Sequence, residues 1–252
     1  MTYCLAAIVN DGLVFVSDSR TNAGIDQLGI YSKMHPFTDL PGRFFTLLSA
    51  GNLATTQAVV AKLRRDIRED ADRSLATVGR IRDAADYVGE TSRQIQDRYK
   101  HKKDKTPGFV PDADFIFGGE IDSGGPGLFH IYSAGNYVAP TELAPFVQIG
   151  EQKYGKPILD RIVAADTRLE TVALCGLVSM DSTMRSNASV GPPIELMLYR
   201  AGTAPAHTHI VYKEDDPYLR QIREAWAENL RRAFEDLPSL NLPATRVRLV
   251  DP

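Results

Sequence analysis

The chain has little of what several large protein classes require. Its 252 residues include two cysteines, Cys4 and Cys175. That is too few for a disulfide framework or a zinc site, and two buried thiols in a reducing compartment are the expectation. No stretch approaches the roughly 18 apolar residues of a membrane span, and no basic region leads into a long apolar run at the N-terminus. Charge of one sign is not in excess: 29 Lys and Arg stand against 32 Asp and Glu, a net charge of −3. Such a balance favours neither nucleic acid nor a membrane surface as main partner. No G-x-G-x-x-G or Walker loop joins a strand to a helix, so no nucleotide site is expected. Of the histidines, His35, His101, His130, His207 and His209, only the last two alternate. A pair of that kind on a strand is more often one exposed face than a ligand set, and no metal or cofactor is expected. Together these absences predict a cytoplasmic protein.

What remains is an ordinary globular composition, 43% hydrophobic and 24% charged. The length suits one large domain or two small ones. With no repeat and no low-complexity linker, a single domain over 1–252 is predicted, with an extended tail from about 238 onward.

Apolar runs Tyr3 to Val9 and Leu13 to Val16 flank Asp11-Gly12, a hairpin signal. A second strand pair is predicted over Gly29 to Phe37 and Phe44 to Ser49, around turn residues Asp39 to Gly42. The period then changes. Leu53, Val60, Leu63 and Ile67 recur at three- and four-residue spacings, which predicts an amphipathic helix capped by Asn52. A second helix is expected from about Ala76 to Lys100, and the tract KHKKDKTPGFVPD reads as a basic, solvated loop. Strands follow at Ala113 to Ile121, Leu128 to Ser133 and Phe146 to Gly150, then helices at Tyr154 to Ala165 and Leu169 to Met184. Strands at Ile194 to Arg200 and His209 to Lys213 precede a last helix, Asp216 to Glu235. Hairpins dominate and there is no strict βαβ alternation, so the class is α+β with antiparallel sheets.

One set of residues carries chemistry. Thr2 would become the first residue once Met1 is removed, and its small side chain permits that removal. A threonine hydroxyl is a weak nucleophile, but an N-terminal threonine carries its own base, the free α-amine. A nearby lysine would lower the amine's pKa, and an aspartate would hold that lysine. Asp18 and Lys33, each on a predicted strand near the first, are the candidates. In LLSAGNLATT a strand ends and a helix begins at Gly51, which offers a backbone N–H to an oxyanion. Taken singly, each residue has a bland reading as turn cap, surface lysine or strand end. Their co-occurrence in this order is the signal.

The pattern resembles the proteasome-type N-terminal-nucleophile peptidases. SDSRTNAG at Ser17 to Gly24 is similar to the segment after the first hairpin of catalytic proteasome β-subunits, and the likeness continues through Lys33 and SAGNLA. Within that superfamily the chain most resembles the bacterial Anbu, or ancestral β-subunit, group. TYC…GLVFVSDSRTNAG…KMH…SAGNLATTQAV and the later IGEQKYGKPILDR carry this likeness, which by element order spans essentially the whole chain.

The resemblance implies a four-layer αββα sandwich acting as a threonine peptidase. Thr2 is then the nucleophile, Asp18 and Lys33 its charge partners, and Gly51 the oxyanion donor. Arg20 matches a structural arginine. Asn22 stands where the family usually has a threonine that holds extended substrate. The chain also departs from the pattern. Gly24 to Lys33 is one residue short, and the family's glycine-serine falls at Gly150-Glu151, making Glu151 either a variant site residue or a helix cap. The downstream Asp/Ser pair maps onto MDSTMRSNASVG, where Asp181, Ser186 and Ser189 are available and Ser189 is preferred for its place before the next strand. The implied partners are peptide or unfolded protein and further copies of the chain, in a closed ring or an open helical assembly. An ATP-dependent unfoldase is left open.

Two alternatives stand beside this reading: a catalytically weak ring scaffold that binds peptides, and a small-molecule amide hydrolase of the same fold. An epoxyketone, which needs both hydroxyl and free amine, separates enzyme from scaffold. While Met1 is retained, the Thr2 nitrogen is acylated and the mechanism cannot run.

Overall fold

The computed structural model describes residues 1–22, 28–103 and 110–240. Strands β1 (Tyr3–Val9) and β2 (Gly12–Asp18) form the first hairpin. Its turn falls on Asn10 and Asp11, one residue before the predicted pair. Gly12 opens β2 at φ +144, where a Cβ would lie 2.0 Å from the Tyr199 carbonyl oxygen, so only glycine fits.

The predicted strand Gly29 to Phe37 is two strands. β4 (Leu28–Ile30) pairs with β3 (Arg20–Asn22), whereas β5 (Met34–Phe37) pairs with β6 (Arg43–Gly51). Between them the Ser32 hydroxyl accepts from the Met34 N–H and donates to the Met34 carbonyl. That local bonding competes with the ladder and breaks the strand. Lys33 therefore lies in a link rather than on a strand.

Asn52 caps α1 (Leu53–Arg68) as predicted, its Oδ1 accepting from the Thr55 N–H at 3.1 Å. α2 (Ile81–Lys103) starts later than Ala76, because the Ser74 and Thr77 hydroxyls bond their own turn. It then runs through Lys103, into the stretch expected to be loop. β7 (Ala113–Ile121), β8 (Gly127–Ile131), the unpredicted β9 (Tyr137–Val138) and β10 (Phe146–Gly150) follow. Next come α3 (Lys156–Ile162), shorter than predicted, and α4 (Leu169–Ser186). β11 (Ile194–Arg200), β12 (Thr208–Tyr212) and α5 (Pro217–Glu235) complete the order.

Among the described residues there are two five-stranded antiparallel sheets, β10-β1-β2-β11-β12 and β5-β6-β7-β8-β9, and the small β3-β4 pair. Strand alternation sends one face of each sheet to a different partner. Cys4, Ala6, Leu13, Phe15 and Met197 of the first sheet pack with Phe44, Leu48 and Ile116 of the second. On its other face the first sheet sends Leu5, Val14, Val16 and Leu196 against Leu159, Val172, Leu177 and Leu219 of α3, α4 and α5. The second sheet packs Phe45, Leu47, Phe115 and Phe117 against Val59, Leu63, Ala84 and Val88 of α1 and α2. Burial on both faces explains why β1, β2 and β6 are apolar along almost their whole length. No described helix is long and apolar enough to cross a membrane.

Candidate active site

Thr2 precedes β1, and the next residue, Tyr3, pairs with Gly150 of β10. The Thr2 carbonyl accepts from the Glu151 N–H at 2.8 Å. Gly150 makes that approach possible: at φ +83 a Cβ would lie 2.0 Å from the Thr2 oxygen. Tyr3 then anchors the strand from inside, its hydroxyl 2.6 Å from both Ser179 Oγ and Gln148 Nε2.

Asp18 ends β2 fully buried. Its Oδ1 accepts from Lys33 Nζ at 2.6 Å and from the Tyr3 N–H at 3.0 Å, and its Oδ2 from the Gly191 N–H at 3.3 Å. Burial raises the carboxyl's pKa above the usual carboxylate range, while the Lys33 ammonium and the two amides oppose the rise. Lys33, 7% exposed, also donates to the Arg20 carbonyl at 2.7 Å. The link carrying it is pinned to β6 by the Ser49 N–H, which bonds the Lys33 carbonyl at 3.0 Å. A cavity of about 430 Å³ opens beside these groups, lined by Thr2, Lys33, His35, Ser49, Gly51 and Gly150 among others.

Gly51 ends β6 at φ +105, directly before the Asn52 cap, and a Cβ there would lie 2.4 Å from the Asp112 carbonyl oxygen. His35 Nε2 lies 3.2 Å from Ser49 Oγ. Burial and the Arg64 charge press its pKa down to about 4, so the imidazole is neutral near pH 7. Cys4, on the same strand as Tyr3, points its thiol at the Ser49 carbonyl, and burial followed by the Asp18 charge pushes the thiol pKa up. It packs beneath the cavity as a neutral group. The Met1 amine is shifted down by burial and by Lys33, with Asp18 opposing.

The supporting residues divide. Arg20 braces the segment before β11, donating to the Ala188 carbonyl at 2.9 Å and lying 3.6 Å from Glu214. Asn22 ends β3 opposite Leu28, and its side chain lies outside the described residues. Glu151 sits against Thr2, and its Oε2 accepts from Asn187 Nδ2 at 3.0 Å. The Ser189 N–H bonds Asn187 Oδ1, two residues before the Gly191 amide that reaches Asp18. Asp181 is not brought to the cavity. Its carboxylate accepts from Arg223 Nε at 2.8 Å, in a groove between α4 and α5. An α4 residue that pairs with α5 faces away from the end of the sheet where Thr2 begins.

Sequence reasoning missed Asn187, His35, Ser49 and the Gly191 amide. Alternation along the strands around Lys33 could have placed His35 and Ser49 on one face. Nothing local marks Gly191, which reaches Asp18 across 173 residues, or Asn187, which reaches Glu151 across 36. No group of three or more His, Cys, Asp or Glu among the described residues could hold a metal ion.

Two antiparallel sheets packed face to face and covered by helices place the chain among proteasome-related subunits. No protein-family model matches the chain, and no curated protein does. Solved structures do. Anbu (ancestral beta-subunit) from Yersinia bercovieri is 42% identical, with a TM-score of 0.87, covering 96% of this chain and 100% of that one. The helical assembly of the Anbu complex from Pseudomonas aeruginosa matches at 43% identity and a TM-score of 0.89, over 95% of this chain and 98% of that one. Anbu from Hyphomicrobium sp. strain MC1 matches at 40% and 0.82, over 96% and 100%. The chain belongs to the Anbu family.

Proposed function

We propose that this protein is a threonine peptidase of the proteasome type, a single domain folded as a four-layer αββα sandwich, working in the cytoplasm after Met1 is removed. One observation carries the reading. Lys33 Nζ is fixed between Asp18 Oδ1 and the Arg20 carbonyl, on the wall of the same cavity that Thr2 lines. An ammonium held there depresses the pKa of a freed α-amine and stabilises negative charge on the Thr2 hydroxyl oxygen. The Met1 amine already feels the first effect.

The reaction has three steps. Thr2 Oγ1 attacks the scissile carbonyl while the Thr2 amine takes its proton. The Gly51 N–H, at the positive end of α1, stabilises the oxyanion. The intermediate then collapses: the scissile C–N bond breaks, the Thr2 ammonium gives its proton to the departing amine, and an ester to Oγ1 remains. Water, deprotonated by the regenerated Thr2 amine, hydrolyses that ester, and the proton passes back to Oγ1. Arg20 holds the segment that presents its own carbonyl to Lys33, and the backbone at Asn22 is offered to extended substrate. The neighbourhood of Ser189 supports the site through the Gly191 amide.

The solved Pseudomonas relative is a helical assembly, and we extend that to this chain as a homo-oligomer with an open or closed ring. A non-closing head-to-tail contact yields such an assembly. The test is cleavage of an unstructured peptide mixture by protein lacking Met1. The reading expects new peptide termini from this protein and none from its Thr2→Ala variant. No cleavage, together with intact assembly, overturns it in favour of a scaffold.

A further inference from the structure

Two side chains that the peptidase mechanism does not use stand where Met1 meets Thr2. Asn187 Nδ2 lies 3.0 Å from Glu151 Oε2 and 3.9 Å from the Met1 sulfur. The Glu151 N–H holds the Thr2 carbonyl at 2.8 Å. Glu151 is only 10% exposed, and its other oxygen lies 3.7 Å from Lys153, which is 70% exposed. Excision of Met1 vacates the space that Asn187 and Glu151 border, and in its place it leaves a charged α-amine.

We propose that Glu151, aligned by Asn187, is a positioning residue for the liberated Thr2 amine, binding it as an ammonium and setting the pH at which it becomes a base. The proposal rests on Thr2 being the N-terminal residue of the working protein, but its direct test does not require catalysis. Lys33, on the link before β5, and Asp18, on β2, already act on the Met1 amine. His35 on β5 lines the same cavity, and Glu151 with Lys153 follows β10, where the Glu151 N–H holds the Thr2 carbonyl. Lys33 lowers the amine's pKa, whereas Glu151 raises it. Asp18 is already bonded to Lys33, and His35 is neutral near pH 7. Lys153 weakens Glu151's pull from the solvent side. Two opposing charges of this kind fix the amine's orientation as well as its protonation, since each must keep its own side of the nitrogen.

The experiment titrates the amine itself. Full-length chain lacking Met1 is exposed to trace acetic anhydride across a pH series, and acetylation at Thr2 is read by mass spectrometry. Only the neutral amine reacts, so the midpoint reports its pKa. Glu151→Gln is expected to lower that midpoint by about one pH unit. Lys153→Met, a surface change that leaves the fold intact, is expected to raise it by a smaller amount. Opposite shifts support the anchor, and a purely structural role for Glu151 does not produce them. Identical midpoints in all three proteins overturn it. Epoxyketone labelling of the same samples separates the two claims. Shifted midpoints with no labelling keep the anchor and remove the peptidase, while labelling with unmoved midpoints does the reverse.

Discussion

The two ends of the paired sheets each bury a carboxylate, and they treat it differently. At one end Asp18 meets a lysine and two backbone amides beside an open cavity. At the other, Glu120 of β7 is 2% exposed and meets neutral donors: the Tyr199 hydroxyl at 2.6 Å, the Gly202 N–H at 2.9 Å and the Gly125 N–H at 3.1 Å. Tyr199 in turn stacks on Phe44 with ring centroids 4.1 Å apart. A carboxylate satisfied by neutral groups under an aromatic lid ties loops together. A carboxylate satisfied by a cation fixed at a cavity wall keeps that cation's charge beside whatever enters. On the proposed reading, the same buried charge serves stability at one end and chemistry at the other.

The largest expected effect separates those roles. Lys33→Met strands Asp18 without its cation, and breaking a buried pair costs about 3–5 kcal/mol. It also removes the charge that biases the Thr2 amine, so covalent labelling of Thr2 should fall at least about 100-fold. Urea unfolding and labelling rate should both register the change. If labelling survives at the original rate, the distinction between the two ends collapses.

Gly150→Ala comes next. At φ +83 with the Thr2 oxygen 2.0 Å from the new Cβ, the strand end must move. A cost of about 1–3 kcal/mol and a marked loss of labelling are expected, measured by the same pair of assays.

These two positions also show how far the sequence could be read. The hairpin period of the first eighteen residues, the Asn52 cap and the order of strands and helices were visible, because local bonding and alternation decide them. Asp18, Lys33 and Gly51 followed from the demands of the chemistry on a terminal threonine. The break at Ser32, which takes Lys33 off its strand, depends on one hydroxyl bonding its own backbone and leaves no periodic trace. Asp181, one of three residues the sequence offered, turns to Arg223 instead of the cavity; α4 buries residues nearly all round, so its sequence does not say which neighbour an acid faces. Asn187 and Gly191 reach the site only through tertiary contacts.

At the closed end the effect is smaller and of one kind. Tyr199→Phe removes one of three donors to Glu120 and should cost about 1–3 kcal/mol in urea unfolding, while labelling of Thr2 keeps its rate. A drop in labelling would mean that the two ends are coupled.

The smallest effect appears only below neutral pH. The folded protein holds His35 near pKa 4, below its ordinary 6.5. The imidazole's contribution to stability is therefore complete above about 6.5 and is lost as pH falls toward 4. His35→Gln should flatten this part of the pH dependence, seen as a smaller difference between urea midpoints at pH 7.5 and pH 5. An unchanged slope would place the acid sensitivity elsewhere.

The most direct measurement of the central claim is peptide-level mass spectrometry after treatment with a peptide epoxyketone, run on protein with and without Met1. The account predicts one adduct, closed through both Oγ1 and the nitrogen of Thr2, in the shortened protein alone. Equal labelling of both forms, or none in the shortened form while it remains assembled, contradicts it.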